Sequence, residues 1–452
     1  MDPLHEEVVD LTRDLVRFDT QNAVGHHPGN ETAVAQHLAD YLGEAGIECE
    51  LVAREEPDSR HRANLVARVP GTESGTAPSL AFVGHIDVVP VDARDWTHPP
   101  FEGVLSDDGY LWGRGVLDMK GEVAARAVAI KELVRSGWRP RGDLWFLAVA
   151  DEEDGMADVG MRWLLEARPD IRPDLSINEG GGELFELTDG RRLVGLGIGE
   201  KGTYPVRVTA LGEAGHGSTP TVGDNAVPHL GEVLARVGRG LPSPVPHPLV
   251  DQMLGVLLGD AYTPGDDLTS ALAAAGALHP ELEHLMPALA GTTMAPTMIG
   301  ASDKRNVLPS KAWVELDCRI LPGTTEADVE EAVRDRLVRG GESRLAFDLS
   351  WPEPLIPGNA SPPDGPVVQA IREWVANEVA DAELLPSLGT GFTDSSYLRA
   401  AAGTAAYGFS PNFTTPLDVL VAGYHNADER VHVDDLFASV RFHLHLAKAL
   451  LS

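Results

Sequence analysis

Three runs of strand-forming residues in this chain stop at side chains of the kinds that ligate metals. SLAFV leads through Gly84 to His85, DLWFLAVA to the acidic run DEED at residues 151–154, and DLSIN to Glu179. Strands that are apolar on both faces must be covered on both, and helical patterns alternate with these. Leu4, Val8, Leu11 and Leu15 mark one helix, and Val34, Leu38, Tyr41 and Leu42 mark a second that Asn30 can cap and Gly46 can close. A third is expected at about 120–136 and a fourth at MRWLLEA. The fold class implied is α/β, a mixed sheet covered by helices.

Near residue 200 the texture changes. From GTYPVRVTALG onward the strands alternate apolar with polar residues, as in an antiparallel sheet with one wet face, and TMAPTMIG, KAWVELDCRI and SRLAFDLSW continue the pattern. Between them a proline-punctuated, Ala- and Leu-rich stretch runs from about 228 to 295 and matches no pattern. The expected organisation is a first domain in two parts, 1–199 and 351–452, with an α+β domain inserted at 200–350. A chain of 452 residues is longer than one ordinary core serves, which supports the division. Two more helices are expected in the last part, at about 365–380 and 434–450.

Composition narrows the partners. With 36 basic against 69 acidic residues the net charge is −33, a field that repels phosphate backbones and anionic lipid, so no nucleic acid and no membrane are expected as partners. The start, MDPLHEEVVD, lacks a basic segment followed by an apolar one, and no apolar run reaches the roughly 18 residues of a membrane span, so a cytoplasmic location is expected. Cys49 and Cys318 are too few for a disulfide framework and lack zinc-finger spacing; both read as inert core thiols.

In an open α/β sheet, ligands bind beyond the carboxyl ends of the strands. His85, the DEED run and Glu179 therefore converge on one rim if their strands are neighbours, and Asp118 joins them from the loop GRGVLDMKG, ahead of a helix. Imidazole and carboxylate are usual ligands of catalytic zinc, whose sites keep a position open for water. Asp87, two residues beyond His85 on an extended chain, is placed to accept the other ring N–H. Glu152 and Glu153 project differently, so one loop offers a metal ligand and a general base. Each feature alone has a plainer reading: a structural His–Asp pair, a solvated acidic turn, a helix cap, the start of a glycine loop. Their joint occurrence at strand and helix ends favours a site for metal-assisted hydrolysis.

GHIDVVP with WTHPPF, GRGVLDMKG, DEEDG, NEGG, HGSTP and GYHNADERV follow in order over nearly the whole chain. Together they resemble the M20 metallopeptidases, the co-catalytic zinc peptidase and deacylase family that includes acetylornithine deacetylase, succinyl-diaminopimelate desuccinylase, aminoacylase 1 and the glutamate carboxypeptidases. The resemblance implies two zinc ions, with cobalt or manganese as alternatives. Asp118 would bridge them, His85 and Glu179 would complete one site, Glu153 and His425 the other, and Glu152 would be the general base. It further implies that the inserted domain is a lid whose His216 donates to the developing oxyanion, that Asn306 of RNVLP contacts substrate, and that Arg319 grips a free carboxylate. GTGFTDSSYL would line the substrate pocket through Gly391 and Thr393, with Phe392 standing where the family usually has a second glycine. A homodimer is implied as well, and the stretch 228–295 makes this lid larger than is typical of the family.

The expected function is hydrolysis of the amide between an acyl or peptidyl group and an amino acid with a free carboxylate, on small-molecule substrates. N-acyl-amino-acid deacylases, dipeptidases and carboxypeptidases all fit. A di-zinc aminopeptidase would need a pocket for a free α-amine in place of Arg319, and a non-hydrolytic metal-binding homologue would have no use for Glu152. His26, His27, His98, His432, His443 and His445 are expected to be structural or solvated, and Arg114 and Lys120 to fix the loop around Asp118.

Overall fold

The runs that are apolar throughout become the middle of a sheet. A computed structural model describes residues 2–23, 27–55, 61–155, 157–238, 243–338 and 345–452; His26 and the start of the strand expected from Ser343 lie outside the described residues. The chain divides into two units, Met1–Gly199 with Ser361–Ser387 and Thr393–Ser452, and Glu200–Ala360 with Leu388–Phe392. The return to the first unit thus falls at Ser361 rather than at 351, and 388–392 go back to the second unit. Backbone pairing accounts for this: Thr203 and Ile356 exchange hydrogen bonds of 2.9 and 3.0 Å, and Lys201 N donates to Gly389 O at 3.0 Å.

In the first unit the strand order is Gly181–Glu186, Arg192–Glu200, Ala405–Gly408, Leu175–Asn178, Leu80–His85, Leu144–Val149, Asn64–Val69 and Cys49–Val52. The middle four, from Ala405–Gly408 to Leu144–Val149, are parallel, and the strands flanking them are antiparallel. Side chains alternate between the faces, as the pleat requires. Ala81, Val83, Leu147 and Val149 pack with Met161, Leu164 and Leu398 on one face. On the other, Phe82 meets the ring of His443 edge-on at 4.8 Å, on the helix Val433–Leu451. The helices expected from periodicity lie at Pro3–Val16, Glu31–Gly43, Lys120–Arg135, Met161–Ala167, Pro366–Glu378 and Val433–Leu451. Asn30 occupies the cap position of the second helix without a capping bond from its side chain.

In the second unit, Lys311–Ile320 lies between Val206–Leu211 and Thr293–Gly300, antiparallel to both. Its inward residues Ala312, Val314, Leu316, Cys318 and Ile320 are buried, every second position, and form one core with Leu230 and Val233 of the helix Ala226–Val237 and with Val329 and Val333 of Glu326–Val338. The stretch that matched no pattern holds three further helices, Pro248–Leu258, Leu268–Gly276 and Pro280–Leu289. Two of its prolines open helices after a histidine cap, where a missing N–H costs nothing.

Close backbone approach fixes one edge of the rim. A Cβ on Gly408 would lie 2.2 Å from Glu179 O and 2.5 Å from Gly180 O, main-chain atoms that cannot rotate away. Gly408→Ala is therefore expected to cost about 1–3 kcal/mol, the usual range for overpacking, and to displace Glu179. A lower denaturant midpoint together with less metal bound per chain would show both effects.

Candidate active site

The site lies where the sheet changes direction. From Leu80–His85 the chain passes through Lys120–Arg135 to the neighbouring strand on one side, Leu144–Val149, whereas Leu175–Asn178 leads to Gly181–Glu186 at the opposite edge. Beyond the carboxyl ends of two strands whose connections diverge, the loops leave a crevice. His85 ends one of these strands, Glu179 follows the other, and Glu152 and Glu153 follow Leu144–Val149. Antiparallel pairing of Arg430–His432 with Tyr110–Trp112 brings the loop of His425 beside that of Asp118.

The expected ligands come together. His85 Nε2 is 2.9 Å from Asp118 Oδ1 and 3.6 Å from Glu179 Oε2, and His425 Nε2 is 3.1 Å from both Asp118 Oδ2 and Glu153 Oε2. Ligand atoms of His85, Asp118 and Glu153 lie within 4.8 Å of one another, and so do those of His85, Glu152 and Glu179. Glu152, read as a base, is thus also within reach of a metal. One expectation is corrected: His85 Nδ1 bonds the Asp87 carbonyl at 3.0 Å, while the Asp87 carboxylate stands 3.6 Å away. That carboxylate instead accepts the N–H groups of Glu152 and Glu153, each at 3.2 Å.

A glutamate within the run GYHNADERV holds the other side. Glu429, four residues after His425 and fully buried, accepts N–H groups from Gly115, Leu117 and Asp118 at 2.7 to 3.1 Å and the Arg114 guanidinium at 2.5 Å. Arg114 also donates to Asn426 O at 3.0 Å, and Lys120 Nζ to Phe18 O at 2.7 Å, so both fix the loop as expected. His432 caps the last helix, His443 bonds Ser439 O, His445 bonds Ala370 O and His98 packs on Trp112, all structural roles.

Four carboxylates facing two imidazoles leave excess negative charge, and protons answer it. Burial and then the charge of Glu179 push Glu152 well above the ordinary carboxylate range, and burial pushes Glu153 up to about 7. Hydrogen bonds to Asp118 and Glu153 raise His425 to about 10. Burial opposes ionisation of Asp118, yet hydrogen bonds from His425 and His85 hold it below the carboxylate range. Glu153 Oε1 is buried without a hydrogen-bond partner among the described residues. An oxygen- and imidazole-rich cluster with this charge fits divalent cations.

Of the remaining expected residues, Thr393 belongs to the first unit and His216, Asn306, Arg319 and Gly391 to the second. His216 is exposed in the second unit, paired across Gly215–His216 and Val307–Leu308 to the turn of Asn306, whose carbonyl receives Gly217 N at 2.9 Å. Ser218 N donates to His216 Nδ1 at 3.2 Å, and Ser218 Oγ lies 2.7 Å from the same nitrogen. Arg319 forms a forked pair with Asp317 on its own strand, at 2.8 and 3.2 Å. Thr393 caps the helix Asp394–Ala402, and no close contact demands the glycine at Gly391.

Residues 81–449 match the family described as Peptidase family M20/M25/M40. A probable succinyl-diaminopimelate desuccinylase from Staphylococcus epidermidis is 28% identical over 404 residues, 86% of each chain. A probable carboxypeptidase S-like 2 from Dictyostelium discoideum is 26% identical, over 85% of this chain and 74% of that one. The fold is that of an M20 family metallo-carboxypeptidase from Sulfolobus solfataricus, with a TM-score of 0.70 at 17% identity over 100% and 99% of the two chains. The family match and these relatives make the chain a metal-dependent hydrolase of acyl- or peptidyl-amino acid amides. The chain belongs to the peptidase family M20/M25/M40.

The shifts set a pH dependence. Folding raises Glu153 from 4.5 to about 7 and His425 from 6.5 to about 10, so the folded protein binds more protons than the unfolded chain across both intervals. Stability of chelator-treated protein should then fall as pH rises from about 5 to about 9. Metal displaces those protons, and melting temperatures with added metal should lose most of that decline.

Proposed function

We propose that this protein cleaves the amide between an acyl or peptidyl group and an amino acid with a free carboxylate, using two zinc ions, for which cobalt or manganese can substitute. The observation that carries this reading is the gathering of His85, Asp118, Glu153, Glu179 and His425 on one rim with Glu152 beside them. In this reading Asp118 would be shared between the metals, His85 and Glu179 would hold one, and Glu153 and His425 would hold the other. When bound, such ions lower the pKa of water and polarise a carbonyl. Glu152, beside the ligands and held by burial above the ordinary carboxylate range, takes a proton from the attacking water and delivers it to the departing amine nitrogen. Asp87 holds the backbone of the Glu152–Glu153 pair and the ring of His85.

From the second unit, His216 donates through Nε2 to the oxyanion, Asn306 contacts substrate, and Arg319 receives the carboxylate. Gly391 and Thr393 line the pocket. The reading includes a homodimer, supported by the strand Thr293–Gly300, which pairs only with Lys311–Ile320 among the described residues and leaves Met298 56% and Ile299 64% exposed. A cytoplasmic location is part of the same reading; no helix among the described residues is long and apolar enough to cross a membrane. The Arg319–Asp317 pair favours one alternative, an aminopeptidase that does not grip a free carboxylate.

A panel of N-acetyl, N-succinyl and N-benzoyl amino acids and dipeptides, each with free or amidated carboxyl ends, separates the two. Turnover restricted to free ends is expected, with Glu152→Ala lowering kcat about 100- to 10,000-fold while metal content is kept. Equal turnover of amidated ends would remove Arg319 from its role, and no turnover at all would leave only metal binding.

A further inference from the structure

The turn that presents Glu152 and Glu153 is held from behind by buried polar groups from three distant segments. Asp151, immediately before the pair, has a φ of 62°, a region that residues other than glycine seldom adopt. Its Oδ1 accepts from Asn22 Nδ2 at 3.1 Å and from an Arg62 terminal nitrogen at 3.3 Å, and its Oδ2 from Val159 N at 3.4 Å. Asn22 Nδ2 also donates to Asp87 Oδ2 at 2.8 Å, and Arg62 Nε to Glu31 Oε2 at 2.5 Å. Asn22, Arg62 and Asp151 are each 4% exposed and Glu31 is 0%.

We propose that Asp151, fixed by Asn22 and Arg62, is a positioning residue that aims the two adjacent glutamates apart. The inference rests on the di-metal hydrolase reading of this site. Glu152 reaches the group of His85 and Glu179, and Glu153 that of Asp118 and His425, although one peptide separates them. Neighbouring side chains project differently in any case, and the φ of 62° at Asp151 sets the directions in which these two leave the turn. Buried ionic groups are poor stabilisers compared with apolar residues of the same size, so a stability role does not explain why four of them stand here. Asp87 holds the two N–H groups, Asn22 joins Asp87 to Asp151, and Arg62 places a cation between Asp151 and Glu31.

The test compares Asp151→Gly, which permits the turn but has no acceptor, with Asp151→Asn, which keeps an acceptor oxygen and tolerates a left-handed backbone. Cobalt-substituted protein reports ligand geometry by its visible absorption without any need for turnover. Asp151→Gly is expected to change that spectrum and to lower kcat or cobalt affinity about 10- to 100-fold with KM unchanged, and Asp151→Asn to restore both. If Asp151→Gly fails to fold, Asn22→Ser carries the same expectation. A wild-type spectrum in the folded variant, or a loss of melting temperature with no spectral change, overturns the proposal. Absence of hydrolysis by wild type with the spectral difference intact would count against the hydrolase reading alone. No cobalt uptake by wild type would overturn both.

Discussion

Mutual repulsion of carboxylates at one rim is the constraint around which the first unit is organised. At about 4 Å two like charges repel by about 4 kcal/mol at the effective dielectric of a protein near its surface, and Asp118, Glu152, Glu153 and Glu179 each bring an oxygen within 4.8 Å of a His85 ring nitrogen. Left to themselves the loops would splay. Each is instead held through its backbone: the Asp87 carboxylate takes two N–H groups of the acidic loop, and Glu429 takes three from the loop of Asp118. These holding carboxylates spend their lone pairs on amides and so stand outside the ligand set while fixing it.

The parts of this arrangement that were legible in the sequence are those with a local signature. Strands buried on both faces read as unbroken apolar runs, and ligands at their ends stand out because a charged residue interrupts a buried strand only for a reason. Asn22, Glu31, Arg62 and Glu429 carried no such mark. Each acts on a partner far along the chain, Asn22 on Asp151 and Glu429 on Arg114 for example, and nothing in the residues around them announces that partner. Asp87 does pair with the ring two residues back, but through its carbonyl, and the amides at 152 and 153 that its carboxylate accepts were not visible in the sequence.

The second unit shows a different limit. Lys311–Ile320 was plain because its burial alternates without a break. The helices at 248–289 were not: Leu268–Gly276 carries alanine on both faces, and the stripes of Pro248–Leu258 (Val250, Met253, Leu254, Leu257) and Pro280–Leu289 (Leu282, Met286, Leu289) are too short to stand out among so many apolar residues. The unit boundary at 388–392 was hidden as well, being set by the hydrogen bond from Lys201 to Gly389 and not by composition.

Ala405–Gly408 lies inside the sheet, between Leu175–Asn178 and Arg192–Glu200, although it is reached only after the whole second unit has been traversed. During synthesis the chain upstream therefore waits with a gap in its middle. Two inner strand edges remain open to other chains until that late segment arrives, a period in which mispairing competes with completion. His425 comes later still. A ribosome-bound chain thus holds most of the metal ligands without the last of them, and the centre closes only as the final strand and helix of the first unit fall into place.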